Sequence, residues 1–281
     1  FITGSASQDT IVLQSSGSDG HEINLMGGND EITGANTVAA DDILEGGAGT
    51  DTLNYGGNAA DLTGLTTVTG FEVVEVDGAR TVTVDDENVD DAGGSITINE
   101  TGANAAVTVS AAVSAGKTVL LGEAASYTLA DVANNRVTIA DEADSDSDGL
   151  VSDESTETVT TSTTNTGSII TGSASQDTVT LQSSGTAAHN INLGSGNDEI
   201  GGMSTVGTDD VLEGGAGTDT IRFDESANNA LVLTAPEVSE ISGVEVILLD
   251  SGTATSAITL GNAAMESNGG VFNITTNDGA C

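Results

Sequence analysis

Tryptophan is absent from this 281-residue chain, Phe and Tyr together number six, and Lys plus Arg number four. Four cations, Arg80, Lys117, Arg136 and Arg222, cannot make a basic patch, which excludes nucleic acid as a partner and argues against direct binding to an anionic membrane surface. No apolar run approaches the roughly 20 residues of a spanning helix, so direct membrane insertion is not expected. A single cysteine, Cys281, rules out an internal disulfide framework. A basic stretch, an apolar core and a small-residue cleavage site do not follow one another at the start, so the expectation is a secreted chain without a cleaved N-terminal signal, or a mature fragment. Ser-His-acid groupings, zinc-binding histidine pairs and Gly-Lys phosphate loops are also missing, and the chain is not expected to be an enzyme.

Acid and glycine are what the chain has in abundance. Asp plus Glu number 44, for a formal charge of -40, and there are 37 Gly against one Pro, Pro236. Gly without Pro, alongside a 37% apolar fraction that is mostly aliphatic, indicates many tight turns around a thin core rather than a disordered tail. Self-repulsion at this charge must be screened by counterions or salt. Without disulfides, a secreted protein needs another staple, and bound metal is the obvious one.

The chain is internally duplicated. ITGSASQDTIVLQSSG at 2–17 returns as ITGSASQDTVTLQSSG at 170–185, an offset of 168 that also relates His21 to His189 and DDILEGGAGTDTL at Asp41 to DDVLEGGAGTDTI at Asp209. Asp9, His21, Asp30, Asp42 and Asp51 follow one another at intervals of 12, 9, 12 and 9, and Asp177, His189, Asp198, Asp210 and Asp219 repeat those intervals. Two residues after each of these ten rungs stands a large aliphatic: Ile11, Ile23, Ile32, Leu44 and Leu53, then Val179, Ile191, Ile200, Leu212 and Ile221.

This is not a helical period. It fits a coil of 21 residues with two turns and two short strands, the aliphatic pointing inward and the rung residue facing the turn. Stacked coils pair their strands in parallel, so the expected fold is all-β, a parallel β-solenoid in tandem copies.

Past Tyr55 and Phe223 the copies diverge, yet TGFEVVEVDG from Thr69 and SGVEVILLDS from Ser242 still correspond, with an offset of 173 from Glu72 to Glu245. Cys281 falls opposite Asn104, so a piece of a longer repetitive polypeptide is favoured over a truncated module. The expected organisation is a first module at 1–104 and a β-rich continuation at 105–154, where AAVTVSA, KTVLLG, SYTLADV and RVTIAD alternate apolar with polar residues. Acidic residues fill 141–154, a Thr/Ser-rich linker follows at 155–168, and a second module occupies 169–281.

The chemistry concentrates in the turns. GGAGTDTLN, Gly46 to Asn54, and GGAGTDTIR, Gly214 to Arg222, fit the nonapeptide GGxGxDxUx at every defined position. Glycine permits positive φ and leaves carbonyls unhindered, aspartate supplies a hard anionic oxygen, and the aliphatic anchors the strand. Calcium takes six to eight such oxygens. A second acidic stretch, DSDSDGLVSDES, starts like a calcium loop with Asp144, Asp146, Asp148 and Gly149, but carries Ser155 at position twelve and lacks flanking helices. A calcium loop of another type and a solvated acidic linker are both open for it. His21 and His189 are read as turn residues rather than transition-metal ligands, being single among acids.

In these turns the chain resembles the RTX family, the calcium-binding repeats-in-toxin proteins. GSGNDEIGG, Gly194 to Gly202, is a good match; GGNDEIT from Gly27 keeps the motif core behind Leu25 and Met26; GSASQDT at Gly4 and Gly172 is degenerate; and His21 and His189 replace the family's Asp. The resemblance implies a parallel β-roll that is unfolded at low calcium and folds after export by a type I route. It implies carboxylate ligands Asp30, Asp42, Asp51, Asp198, Asp210 and Asp219, with Asp9 and Asp177 weaker. It further implies carbonyl ligands at Gly28, Gly46, Gly49, Gly196, Gly214 and Gly217.

Composition, with low Lys and few aromatics, looks most like RTX-containing bacterial S-layer proteins. That implies an extracellular, cell-surface structural protein that binds several calcium ions and self-associates into a lattice or filament, with cell-surface polysaccharide as a further expected partner. The alternatives are the stalk of a giant RTX adhesin and the calcium-folded export domain of a secreted enzyme or toxin.

Overall fold

In the computed structural model, all residues are described except 14–19, 35–41, 56–59, 62–66, 78–79, 102–105, 123–125, 131, 133–134, 141–154, 162–166, 183–187, 204–205, 208, 225–231, 234–240, 251–256, 259–272 and 277–281. The chain divides into two units, Phe1–Thr128 and Leu129–Cys281. Both are stacks of parallel β coils, so the solenoid architecture expected from the rung spacing is present.

In the first unit, strands Thr10–Val12, Glu31–Thr33, Thr52–Tyr55, Val73–Val76, Ser95–Glu100 and Thr118–Leu121 lie side by side in parallel. Ile2–Thr3, Glu22–Asn24, Ile43–Glu45 and Val68–Thr69 form a second parallel sheet. The register steps by one coil at a time. Ile11 pairs with Ile32, Ile32 with Leu53 and Leu53 with Val74, while Ile23 pairs with Leu44 and Leu44 with Val68. A period of two along each short strand turns these aliphatics to one face. Ile23, Ile32, Leu44 and Leu53 are accordingly buried, and Tyr55 and Phe71 join them further along the unit.

The second unit repeats the plan. Gln176–Thr180, Glu199–Met203, Thr220–Asp224, Val246–Asp250 and Asn273–Thr276 stack in parallel, with Val179, Ile200, Ile221, Ile247 and Ile274 in line. Ser168–Thr171, Asn190–Asn192, Val211–Glu213 and Ile241–Ser242 form the facing sheet.

Two features depart from the sequence expectation. Where composition reads as a linker, Ser155–Thr160 is a strand paired with Gln176–Thr180, and Val159 is fully buried. Thr resembles a loop residue by polarity, but its branched Cβ suits the outward face of a strand. A helix, Asp86–Asp91, also interrupts the coils, held by Asp85 as N-cap, whose carboxylate accepts from the N–H groups of Glu87 and Asn88.

The duplicated segment meets different surroundings in its two settings. Ile170 is 1% exposed and Val179 fully buried, because strands Asn135–Ile139 and Ser155–Thr160 cover them. Their counterparts Ile2, 40% exposed, and Ile11, half-buried, have described strand neighbours on one side only.

Candidate functional site

The rung residues of each copy fall into two series, one along each side of the coil stack. In the first series each backbone N–H donates to the carboxylate one coil further on. Asp9 N–H donates to Asp30 Oδ1 at 2.8 Å, Asp30 to Asp51 Oδ1 at 2.7 Å, and Asp51 to Glu72 Oε2 at 2.8 Å. The second copy repeats this with Asp177 to Asp198 Oδ1 at 2.8 Å, Asp198 to Asp219 Oδ1 at 2.9 Å, and Asp219 to Glu245 Oε2 at 2.9 Å.

One oxygen of each aspartate is therefore committed to the ladder. The other, Oδ2 of Asp30, Asp51, Asp198 and Asp219, is buried with no hydrogen-bond partner among the described residues. Buried polar atoms are nearly always paired, and a buried carboxylate oxygen facing nothing is costly. Burial pushes the Asp198 carboxyl up to about 7; the Asp177 N–H opposes this, and the neighbouring Asp177 and Asp219 carboxylates add to it. Asp51 and Asp219 are raised for the same leading reason. Such groups are poised to accept a cation in place of a proton.

The glycines set what surrounds these oxygens. Gly28 and Gly196 turn at φ 134° and 143°, and Gly49 and Gly217 at 145° and 148°, all in the left-handed region that favours glycine. Each Cα faces the carbonyl of the preceding coil: Ser7 behind Gly28, Ser175 behind Gly196, Gly28 behind Gly49 and Gly196 behind Gly217. A Cβ at Gly49 or Gly217 would overlap that oxygen. Asp51 Oδ2 and the Gly70 carbonyl both face Gly46, and the Gly243 carbonyl and Asp219 face Gly214 in the same way. Carboxylate and carbonyl oxygens are thus drawn into the same inter-turn gaps, a donor set of oxygen alone that suits a hard divalent cation.

Among the described residues no three His, Cys, Asp or Glu side chains converge on one point. A cation here would rest on one or two carboxylates supplemented by main-chain carbonyls.

The remaining sequence candidates differ from these four. Asp9 Oδ2 accepts from Ser5 N–H at 2.6 Å, and Asp177 Oδ2 from Ser173 N–H at 2.7 Å with the Ser173 hydroxyl alongside. The GSASQD turns thus satisfy their own aspartates. Asp42 and Asp210 belong to the second series, where they bind the histidine rungs: His21 N–H donates to Asp42 Oδ1 at 2.7 Å and His189 N–H to Asp210 Oδ1 at 2.9 Å. Asp210 Oδ2 in turn accepts from Gly207 N–H at 2.8 Å, so both its oxygens are engaged.

His189 takes an aspartate's part in the ladder. Its Nδ1 accepts from Ser168 N–H at 3.3 Å, which requires the neutral ring, and burial lowers its pKa in keeping with that. Asp144, Asp146, Asp148 and Cys281 lie outside the described residues.

Glu72 and Glu245 were not among the sequence candidates. The signal for Glu72 was present, since it stands one 21-residue coil after Asp51 and follows a glycine by two. Glu245 lies 26 residues after Asp219 and could be found only through its likeness to Glu72.

Compared with protein-family models, with curated proteins and with solved structures, the chain matches none.

Proposed function

We propose that this chain is a calcium-binding structural protein of the extracellular β-roll type, whose coils are completed by cations at the Asp30–Asp51 and Asp198–Asp219 turns and which self-associates at a bacterial surface. The observation that carries the calcium part is the set of four buried Oδ2 atoms without a donor among the described residues, of which Asp51 Oδ2 lies beside Gly46 where the Gly70 carbonyl approaches. Asp30, Asp51, Asp198 and Asp219 would supply charge; Gly28, Gly46, Gly49 and their copies Gly196, Gly214 and Gly217 leave room for main-chain oxygens. The bound cation would supply charge neutralisation, and since the gaps exist only when coils are stacked, binding energy becomes folding energy.

Surface assembly is supported by composition. A chain of charge -40 with four Lys plus Arg repels its own copies unless a multivalent counterion bridges them. Sedimentation velocity in chelator and then in millimolar calcium, with far-ultraviolet circular dichroism on the same samples, tests both parts. An expanded monomer that gains β signal and then forms large species is the expected result. Gain of β signal without assembly would assign the chain to a stalk or export role, and indifference to calcium would remove the proposal.

A further inference from the structure

We infer that Glu72 and Glu245 each close a further divalent-cation site at the downstream end of their ladder, built with Asp51, Gly46 and Gly70 in the first copy and with Asp219, Gly214 and Gly243 in the second. This rests on the calcium proposal and extends it to two turns that lack the glycine-aspartate motif.

Three observations converge. First, each glutamate carboxylate occupies the ladder position that an Asp Oδ1 occupies one coil earlier, accepting the N–H of Asp51 at 2.8 Å or of Asp219 at 2.9 Å. Second, Asp51 and Asp219 are 0% and 1% exposed, and the second oxygen of each has no partner among the described residues. In the first copy Asp51 Oδ2 points toward Gly46, where a Cβ would lie 2.9 Å from it and would overlap the Gly70 carbonyl. Third, the arrangement survives a change of loop length.

Asp51 and Glu72 are 21 residues apart, Asp219 and Glu245 are 26 apart, yet both glutamates reach the same place. Leu53 pairs with Val74 and Ile221 with Ile247, so the aliphatic ladder sets the register and the extra residues are absorbed before the turn. Gly70 and Gly243 make that turn at φ 67° and 58°, aiming their carbonyls at Gly46 and Gly214.

The test counts calcium bound to the full chain by equilibrium dialysis, comparing the parent with Glu72→Gln, Glu245→Gln and the double variant. Glutamine keeps an oxygen to accept the aspartate N–H but loses the charge. The expected result is one site weakened at least tenfold in each single variant and two in the double, with Glu75→Gln as an unaffected control. Equal numbers and affinities in parent and variants would overturn this inference and leave the calcium proposal standing; no binding by the parent would overturn both.

Should a variant fail to fold, glutamate labelled with carbon-13 at the carboxyl in the parent chain answers the same question. Glu72 and Glu245 carboxyl signals that move on calcium addition well beyond the Glu75 signal support the sites, and shifts no larger than that of Glu75 refute them.

Discussion

The backbone N–H of Asp198 donates to Oδ1 of Asp219 at 2.9 Å across one coil, while the Oδ2 of each remains buried and without a donor among the described residues. One carboxylate thus has two unlike ends: half of it ties a coil to its neighbour, and half is buried without a donor among the described residues. Removing the charge and removing the side chain should therefore have opposite effects on the metal-free fold.

Asp198→Asn should stabilise the protein in chelator at pH 8. A carboxyl raised from 3.8 to about 7 costs on the order of 4 kcal/mol when ionised, at about 1.4 kcal/mol per pH unit. The folded pKa exceeds the unfolded one, so the penalty is absent below about pH 4, grows between there and 7, and is complete above. The stability difference between variant and parent, from folding driven by a stabilising osmolyte in chelator, should follow that curve; a difference independent of pH would contradict it.

His189 works in the other direction. Its folded pKa lies below the ordinary 6.5 because it is buried, so its stabilising contribution is intact above that value and is lost as pH falls and the unfolded chain takes up the proton. His189→Asn should flatten the acid side of the stability profile below about pH 6.5, measured against the parent in the same osmolyte titrations.

With calcium present the ranking reverses. Asp51→Asn and Asp219→Asn keep the ladder acceptor but remove the anionic oxygen, and each should raise the calcium concentration needed for the gain of β signal by at least tenfold. Asp9→Asn and Asp177→Asn, whose second oxygens are already bound by Ser5 and Ser173, should shift it far less.

Gly49→Ala and Gly217→Ala should prevent stacking, losing more than about 3 kcal/mol, since a left-handed residue gains a Cβ that collides with a carbonyl of the neighbouring coil. Gly93→Ala, at φ 74° with open space around it, should cost only about 1 kcal/mol of backbone strain. Melting temperatures at saturating calcium separate the two.

Leu53→Ala and Ile221→Ala delete fully buried rungs of the aliphatic ladder and should each cost about 2–5 kcal/mol. Ile11→Ala, at a half-buried position in the same register, should cost well under half of that.

Much of this protein was written into its spacing. Intervals of 12 and 9 with an aliphatic two residues later required a 21-residue coil, named the inward side chains and made the sheets parallel, because a two-residue strand period and a repeating turn are local properties. The candidate turns were legible for the same reason.

What local pattern could not convey is how each carboxylate is satisfied. Asp51 and Asp177 look alike as rungs, yet one has a spare oxygen and the other is met by Ser173. Glu245 closes a ladder from 26 residues away, and Ile2 and Ile170 share a sequence but not a degree of burial. Those outcomes depend on which main-chain groups the neighbouring coil brings within hydrogen-bond reach, and only the stacked structure decides that.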